Sequence, residues 1–231
     1  MCASDAGFSP LPACFVDDPA AAGFDHPIDG WEFLNVDAYA CVRCGASDRD
    51  RLIWLYLQAH LGAGDGARML EIAPSRVLSP RLRAQLGGGY RSGDLFMPGV
   101  DDRVDLEAMD YADGSFDWLL CSHVLEHVTD DVRAMREIRR VLRPGGRAVL
   151  LVPISLVADA IDEDPGLTDP QARLARFGQD DHVRLYTREG FVQRLRTAGL
   201  TVEVVPVAAL GDDVAAGHAI PVSAALYVVR P

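Results

Sequence analysis

Residues Phe116–Pro153 read FDWLLCSHVLEHVTDDVRAMREIRRVLRPGGRAVLLVP. Two apolar runs, FDWLLCS (Phe116–Ser122) and RAVLLVP (Arg147–Pro153), are short enough for strands and too continuous for half-exposed ones. Between them, Met135, Ile138 and Leu142 fall on one helical stripe with charges elsewhere. The spacing predicts a helix over 130–142, with Thr129 as N-cap and with Asp130 and Asp131 in a first turn whose dipole favours acids. Pro144-Gly145-Gly146 then stops it. Strand, helix and strand, with both strands apolar throughout, are the unit of a parallel sheet covered on both faces. CSHVLEH therefore sits where one strand has ended and its helix has not begun, which is where such sheets bind ligands.

The same alternation extends on either side of this unit. RLIWLYLQAHL, from about Asp50, reads as a helix closed by Gly62, Gly64 and Gly66. A buried strand follows at Ala67–Pro74, then a helix ending at Leu86, a strand at Tyr90–Leu95 and a short one at Arg103–Leu106. Beyond Pro153 the pattern gives a long polar stretch, a helix over Thr187–Ala198, and strands at Leu200–Val207 and Ser223–Arg230. The division that results is an N-terminal arm over 1–49, rich in Pro, Gly, Ala and Asp, and a main domain over 50–231. Within the domain, residues 154–186 form an insert placed to close over a substrate.

The bulk numbers bound the function. A length of 231 residues suits one α/β domain with a small appendage. With 49% apolar and 24% charged residues, a disordered chain is excluded. No apolar run reaches the roughly 18 residues of a membrane span, and MCASDAGFSPLPAC lacks the basic flank and apolar core of a signal peptide. The expectation is a cytoplasmic protein with no membrane partner. A formal charge of -12 argues against general nucleic-acid binding, so Arg136, Arg139, Arg140 and Arg143 are read as a solvated helix face. The five cysteines are an odd number and suggest no disulfide framework. Cys2, Cys14 and Cys121 stand alone. Cys41 and Cys44 form a C-x-x-C, half of a zinc site that Cys14 and His26 could complete, the plainer alternative being a tight turn with reduced thiols.

FDWLLCSHVLEHV followed by VLRPGGRAVLLVP resembles the centre of class I S-adenosylmethionine-dependent methyltransferases, and most closely the methyltransferase-11-like group. CVRCGASDRDRL (Cys41–Leu52) and FGQDDHVRLY (Phe177–Tyr186) resemble phrases carried by a subset of that group. The resemblance covers roughly residues 40 to 205. It implies an α/β, Rossmann-like sheet of seven strands with helices on both faces and the last strand antiparallel. It also implies S-adenosylmethionine as cofactor. One departure stands out: where the family normally has E-x-G-x-G-x-G, this chain has EIAPSRVLS (Glu71–Ser79) without a glycine. Ala73, Pro74 and Ser75 must make that turn another way. The same absence argues against a nicotinamide enzyme, whose glycine loop cradles a pyrophosphate.

Carried over residue by residue, the resemblance places Glu71, Ile72, Ala73 and Pro74 near the cofactor's amino acid part, with Glu71 attracting its cationic groups or facing solvent. Asp94, followed by Leu95, would accept from both ribose hydroxyls, as an acceptor-only carboxylate can. Asp105 and the Leu106 amide would meet the adenine, with Asp102 and Asp110 as rivals. Cys121, Ser122 and His123 would line the methionine end. The general-base candidates are His123 and His182, while His127 reads better as a hydrogen-bonded helix-start residue. Arg184 or Arg188 could hold an anionic acceptor, and Trp118 reads as buried sheet. The expected reaction is methyl transfer to a hydroxyl, or an amine, of a small molecule or sugar. The alternative is a protein on the same fold that binds S-adenosylmethionine without methylating.

Overall fold

The computed structural model describes residues 7–62, 66–211 and 213–231; Cys2 and Gly64 lie outside them. Seven strands make the central sheet: β1 (Met69–Ile72), β2 (Tyr90–Asp94), β3 (Asp102–Arg103), β4 (Phe116–Ser122), β5 (Leu142–Leu151), β6 (Thr201–Pro206) and β7 (Ala225–Arg230). Their spatial order is β6–β7–β5–β4–β1–β2–β3. From β5 through β3 every pairing is parallel. The last strand, β7, runs antiparallel to both of its neighbours, as expected for the Rossmann-like sheet.

Side chains alternate across β4. Leu119 and Cys121 face one layer, with Ala134, Met135 and Ile138 of α4 (Asp131–Val141) and with Phe191 and Leu195 of α6 (Arg188–Thr197). Trp118 and Leu120 face the other layer, with Leu52, Ile53 and Leu57 of α2 (Asp48–His60) and Leu82 of α3 (Ser79–Leu86). Each such fully buried Leu, Ile or Phe contributes roughly 1.5–3 kcal/mol. Covering both faces leaves only the strand ends for chemistry.

Several boundaries differ from expectation, each for a local reason. The N-cap of α4 is Asp130, whose Oδ1 accepts from the Arg133 amide at 2.9 Å; the Thr129 amide is instead held by Glu107 at 2.7 Å. Pro144-Gly145-Gly146 lies inside β5, which begins at Leu142 because Leu142 pairs with Phe116 of β4. The third strand ends at Arg103. Asp105 then starts a turn, its Oδ1 accepting from Glu107 N at 2.9 Å and its carbonyl from Ala108 N at 3.1 Å. Helix α2 starts at Asp48, with Ser47 and Asp50 forming a reciprocal capping box.

The first forty residues carry structure that composition did not reveal. Cys14–Ala21 is a helix, and Phe8–Ser9 pairs with Ala40–Cys41. Glu32, 1% exposed, ties this segment to the sheet. Its carboxylate accepts from Arg188 at 2.7 Å and from the Tyr227 hydroxyl at 2.9 and 3.0 Å. Buried Arg51 donates to the carbonyls of Ala38, Tyr39, Ala46, His218 and Ala219 at 2.6–3.0 Å, pinning both the C-x-x-C turn and the 218–219 loop. The insert builds a small sheet from Ile154–Ser155, Arg184–Thr187 and Asp162–Glu163, with a helix at Pro170–Phe177.

Candidate active site

The carboxyl ends of β1, β2 and β3 lie side by side. The Ala73 amide donates to Gly93 O at 2.9 Å and the Val104 amide to Asp94 O at 3.1 Å, so Ala73, Asp94 and Asp105 follow one another across the sheet. Ala73 has φ 49°, the left-handed region a glycine would ordinarily fill. An L-residue there costs roughly 1–2 kcal/mol. The turn that the missing glycines called into question is thus made by alanine in the glycine conformation. Ile72 is buried and pairs with Cys121, itself buried, while Pro74 and Ser122 stay partly exposed.

Glu71 does not face solvent; it is 1% exposed. Its Oε1 accepts from Ser75 N at 2.9 Å, and its Oε2 from Ser79 Oγ at 2.8 Å and the Tyr90 hydroxyl at 2.5 Å. Burial raises its pKa and the hydrogen bonds from Tyr90, Ser75 and Ser79 oppose that rise. Glu71 therefore shapes the 73–79 turn from inside.

Asp94 is half-buried, and its Oδ1 accepts from the amides of Phe96 and Met97 at 2.7 Å each. That leaves Oδ2 for a further donor. Leu95 is partly buried; Phe96, 84% exposed, and Met97 form an apolar rim beside it. Asp105 is exposed and Leu106 buried. The rival Asp102 is occupied, bridging Arg91 at 2.5 and 2.6 Å and accepting from Tyr111 at 2.8 Å. A half-exposed acid on β2, a second beyond β3 and a glycine-like turn at β1 fit a nucleoside carrying an amino acid, the chemistry of S-adenosylmethionine.

A cavity of 620 Å³ opens at the end of β4. Its apolar wall comes mostly from the N-terminal segment, including Phe15, Phe24, Trp31 and Phe33, with Phe177 from the insert. Its polar wall holds Arg49, His123, Glu126, His127 and His182. His123 is a second non-glycine with positive φ, 58°, and its amide donates to Leu151 O at 2.9 Å. Its Nδ1 lies 3.3 Å from Glu126 Oε1, an ion-pair contact rather than a formed hydrogen bond. Burial and the nearby Arg49 charge lower the His123 pKa, with Glu126 opposing them. Glu126 is fully buried; burial pushes its pKa up, but His123, His182 and His127 outweigh that and hold it at about 2. Burial lowers His182 to about 4.

Other expected residues lie elsewhere. Arg184 is buried and donates to the carbonyls of Leu125, Val128 and Thr129, and Arg188 is paired with Glu32. Neither lines the cavity, and Arg49 is the arginine that does. Trp118 is buried sheet. Cys41 and Cys44 close a tight turn, with Cys41 N donating to Ala46 O at 2.9 Å and Gly45 N to Cys41 O at 2.8 Å. Cys14 is exposed, and His26 stacks on Phe24 at 4.9 Å, so neither completes a zinc set; among the described residues no third donor gathers at the C-x-x-C. Glu126, Arg49 and the aromatic wall were missed as site residues. For Glu126 the signal was its place three residues after His123.

A methyltransferase-domain family model, Methyltransf_11, matches residues 98–150, spanning β4, α4 and most of β5. The ubiquinone/menaquinone biosynthesis C-methyltransferase UbiE of Hahella chejuensis is 45% identical over 129 residues, 52% of this chain and 48% of that protein. UbiE of Bdellovibrio bacteriovorus is 26% identical over 172 residues, 62% of this chain and 73% of that one. The chain thus spans about half the length of the Hahella relative. An S-adenosylmethionine-dependent methyltransferase from Mesorhizobium loti superposes with TM-score 0.51 at 19% identity, over 78% of this chain and 98% of that one. A methyltransferase-domain model thus matches the middle of the sheet, and the fold around it is similar to that of a solved S-adenosylmethionine-dependent methyltransferase.

Proposed function

We propose that the protein methylates a small, hydroxyl-bearing acceptor with a flat apolar body, held in the 620 Å³ cavity at the end of β4. The observation that carries this reading is the junction at His123, which directly follows Ser122, the last residue of the cofactor-side strand β4, and lines the cavity. Bound S-adenosylmethionine supplies an electrophilic methyl group on a sulfonium. Asp94 and Asp105 grip the adenosyl part. Phe24, Trp31 and Phe177 hold the acceptor's face, and alignment of this kind can supply much of a rate enhancement. The buried Nε2 of His123 takes the acceptor's proton, while Glu126 behind Nδ1 orients the ring and stabilises the imidazolium. His182 is the second imidazole on the cavity wall. The predominantly apolar wall favours a ring-bearing alcohol or phenol over a free sugar, with an amine as the near rival.

The test is to incubate the protein with S-adenosylmethionine and a panel of hydroxylated aromatics, amines and sugars. The expected outcome is S-adenosylhomocysteine together with an acceptor heavier by one methyl. Tight cofactor binding without methylation of any acceptor would favour the non-methylating reading. A second expectation concerns the cofactor alone: Asp94→Ala should weaken S-adenosylmethionine binding by about 1–3 kcal/mol, the cost of losing charged hydrogen bonds. Titration calorimetry measures it, and an unchanged Kd would remove Asp94 from the site.

A further inference from the structure

Five buried side-chain polar atoms among the described residues make no hydrogen bond, and four of them meet at one place. These are Nε2 of His123, both carboxylate oxygens of Glu126, and Nδ1 of His182. The fifth, Asp117 Oδ1, faces Arg143 in an ion pair. Glu126 is 0% exposed and His182 3%. Desolvating a carboxylate without donors is costly, and such groups in native proteins are paired or ligate metals.

One donor atom from each of Glu126, His127 and His182 lies within 4.8 Å of the other two. Nε2 of His127 is 3.9 Å from Glu126 Oε1, and the two imidazoles meet edge to face with centroids 4.7 Å apart. The other nitrogen of His127, Nδ1, is already engaged by Asp181, at 3.3 Å from its carbonyl oxygen and 3.4 Å from Oδ2. That outer contact is how proteins commonly orient a metal-binding imidazole. Two imidazoles and one carboxylate are the donor set of an open zinc-type site. Bonds of about 2.0–2.2 Å in a tetrahedron place donors roughly 3.4 Å apart, so side-chain rotation of about an ångström closes the set. All three side chains are held by their elements: Glu126 and His127 by the β4–α4 connection, His182 by the insert.

We propose that Glu126, His127 and His182 bind one divalent transition-metal ion of the zinc type, leaving a coordination position open to the cavity that all three line. His123 stands beside the ion. The open position suits an oxygen of the acceptor; that last point alone rests on the methyl-transfer reading above.

The test uses full-length protein stripped with a chelator, titrated with Zn²⁺ alone by calorimetry and with Co²⁺ alone by visible absorption. One ion per chain is expected. Glu126→Gln and His182→Ala should each weaken it at least tenfold. His127→Ala, at a half-exposed position, gives the same readout with little risk to folding. Cys41→Ser with Cys44→Ser should leave binding intact. An ion not bound at all, bound equally by the His127 and Glu126 variants, or lost only in the cysteine variant overturns the proposal. S-adenosylmethionine affinity, measured on the same samples, separates the two readings. Cofactor binding without metal binding sinks the metal site alone, whereas loss of cofactor binding in wild-type protein sinks the methyl-transfer reading.

Discussion

His123→Asn is expected to lower turnover by roughly 10²–10⁴-fold, the usual contribution of a positioned base, while S-adenosylmethionine affinity stays within a few-fold. Asparagine is the informative replacement because position 123 has φ 58°. Of the residues other than glycine, asparagine tolerates that left-handed conformation best, so the backbone at the end of β4 keeps its shape. Alanine would add strain and confuse loss of a base with loss of geometry. In the variant the backbone amide at position 123 still donates to Leu151 O, as it does in His123 at 2.9 Å, but the new side chain cannot take a proton at neutral pH. Single-turnover rates and cofactor titration on the same variant check this. Full turnover in His123→Asn would remove His123 from the proton's path.

Arg184→Met is expected to give the largest loss of stability, about 3–5 kcal/mol, the range seen when one partner of a buried charged group is removed. Arg184 is 1% exposed and donates to Leu125 O at 2.7 Å, Val128 O at 2.6 Å and Thr129 O at 2.9 Å. Methionine fills most of the volume, so the loss reports not a cavity but the Val128 and Thr129 carbonyls deprived of this donor and the Glu163 and Asp131 carboxylates deprived of its charge, while Leu125 O keeps the Tyr186 hydroxyl at 3.2 Å. For a chain of this length, that corresponds to a fall in Tm of about 6–20 °C. Lysine should not rescue, since a point charge lacks the planar fork that reaches three acceptors. Thermal unfolding decides it; a Tm unchanged within a degree or two would mean the β4–α4 connection is held by something else. The role of the DHVRLY phrase follows: its arginine locks the segment that carries His123, Glu126 and His127.

What the sequence made legible depended on periodicity. β4 is bounded at Phe116–Ser122 as read, because a short, mostly apolar run between polar neighbours admits little else. α6 was read over Thr187–Ala198 and spans Arg188–Thr197, with Thr187 as its N-cap. Asp94 and Asp105 were singled out by the family resemblance; Asp94 is the last residue of β2, and Asp105 lies two residues beyond β3. Long-range pairings were not readable. β5 reaches back through Pro144 only because Phe116 offers Leu142 a partner. Glu71 turns inward only because Tyr90 and Ser79 arrive beside it from later in the chain. The aromatic wall was hidden for a different reason: Phe15, Phe24 and Trp31 sit in a segment with no helical or strand period, so nothing local says which way they face. Glu126 was visible as a letter beside two histidines, but its burial and lack of a donor are properties of three dimensions.

The placement of β7 bears on how the chain is made. Residues 225–230 slot between β5 and β6 rather than adding to an outer edge. During vectorial synthesis the long β5 edge therefore stays open, its amides and carbonyls unmatched, after most of the cofactor side has been translated. Six register pairs to β6 and three to β5 form only when this hairpin arm threads home. A nascent chain paused before residue 225 would expose an adhesive border.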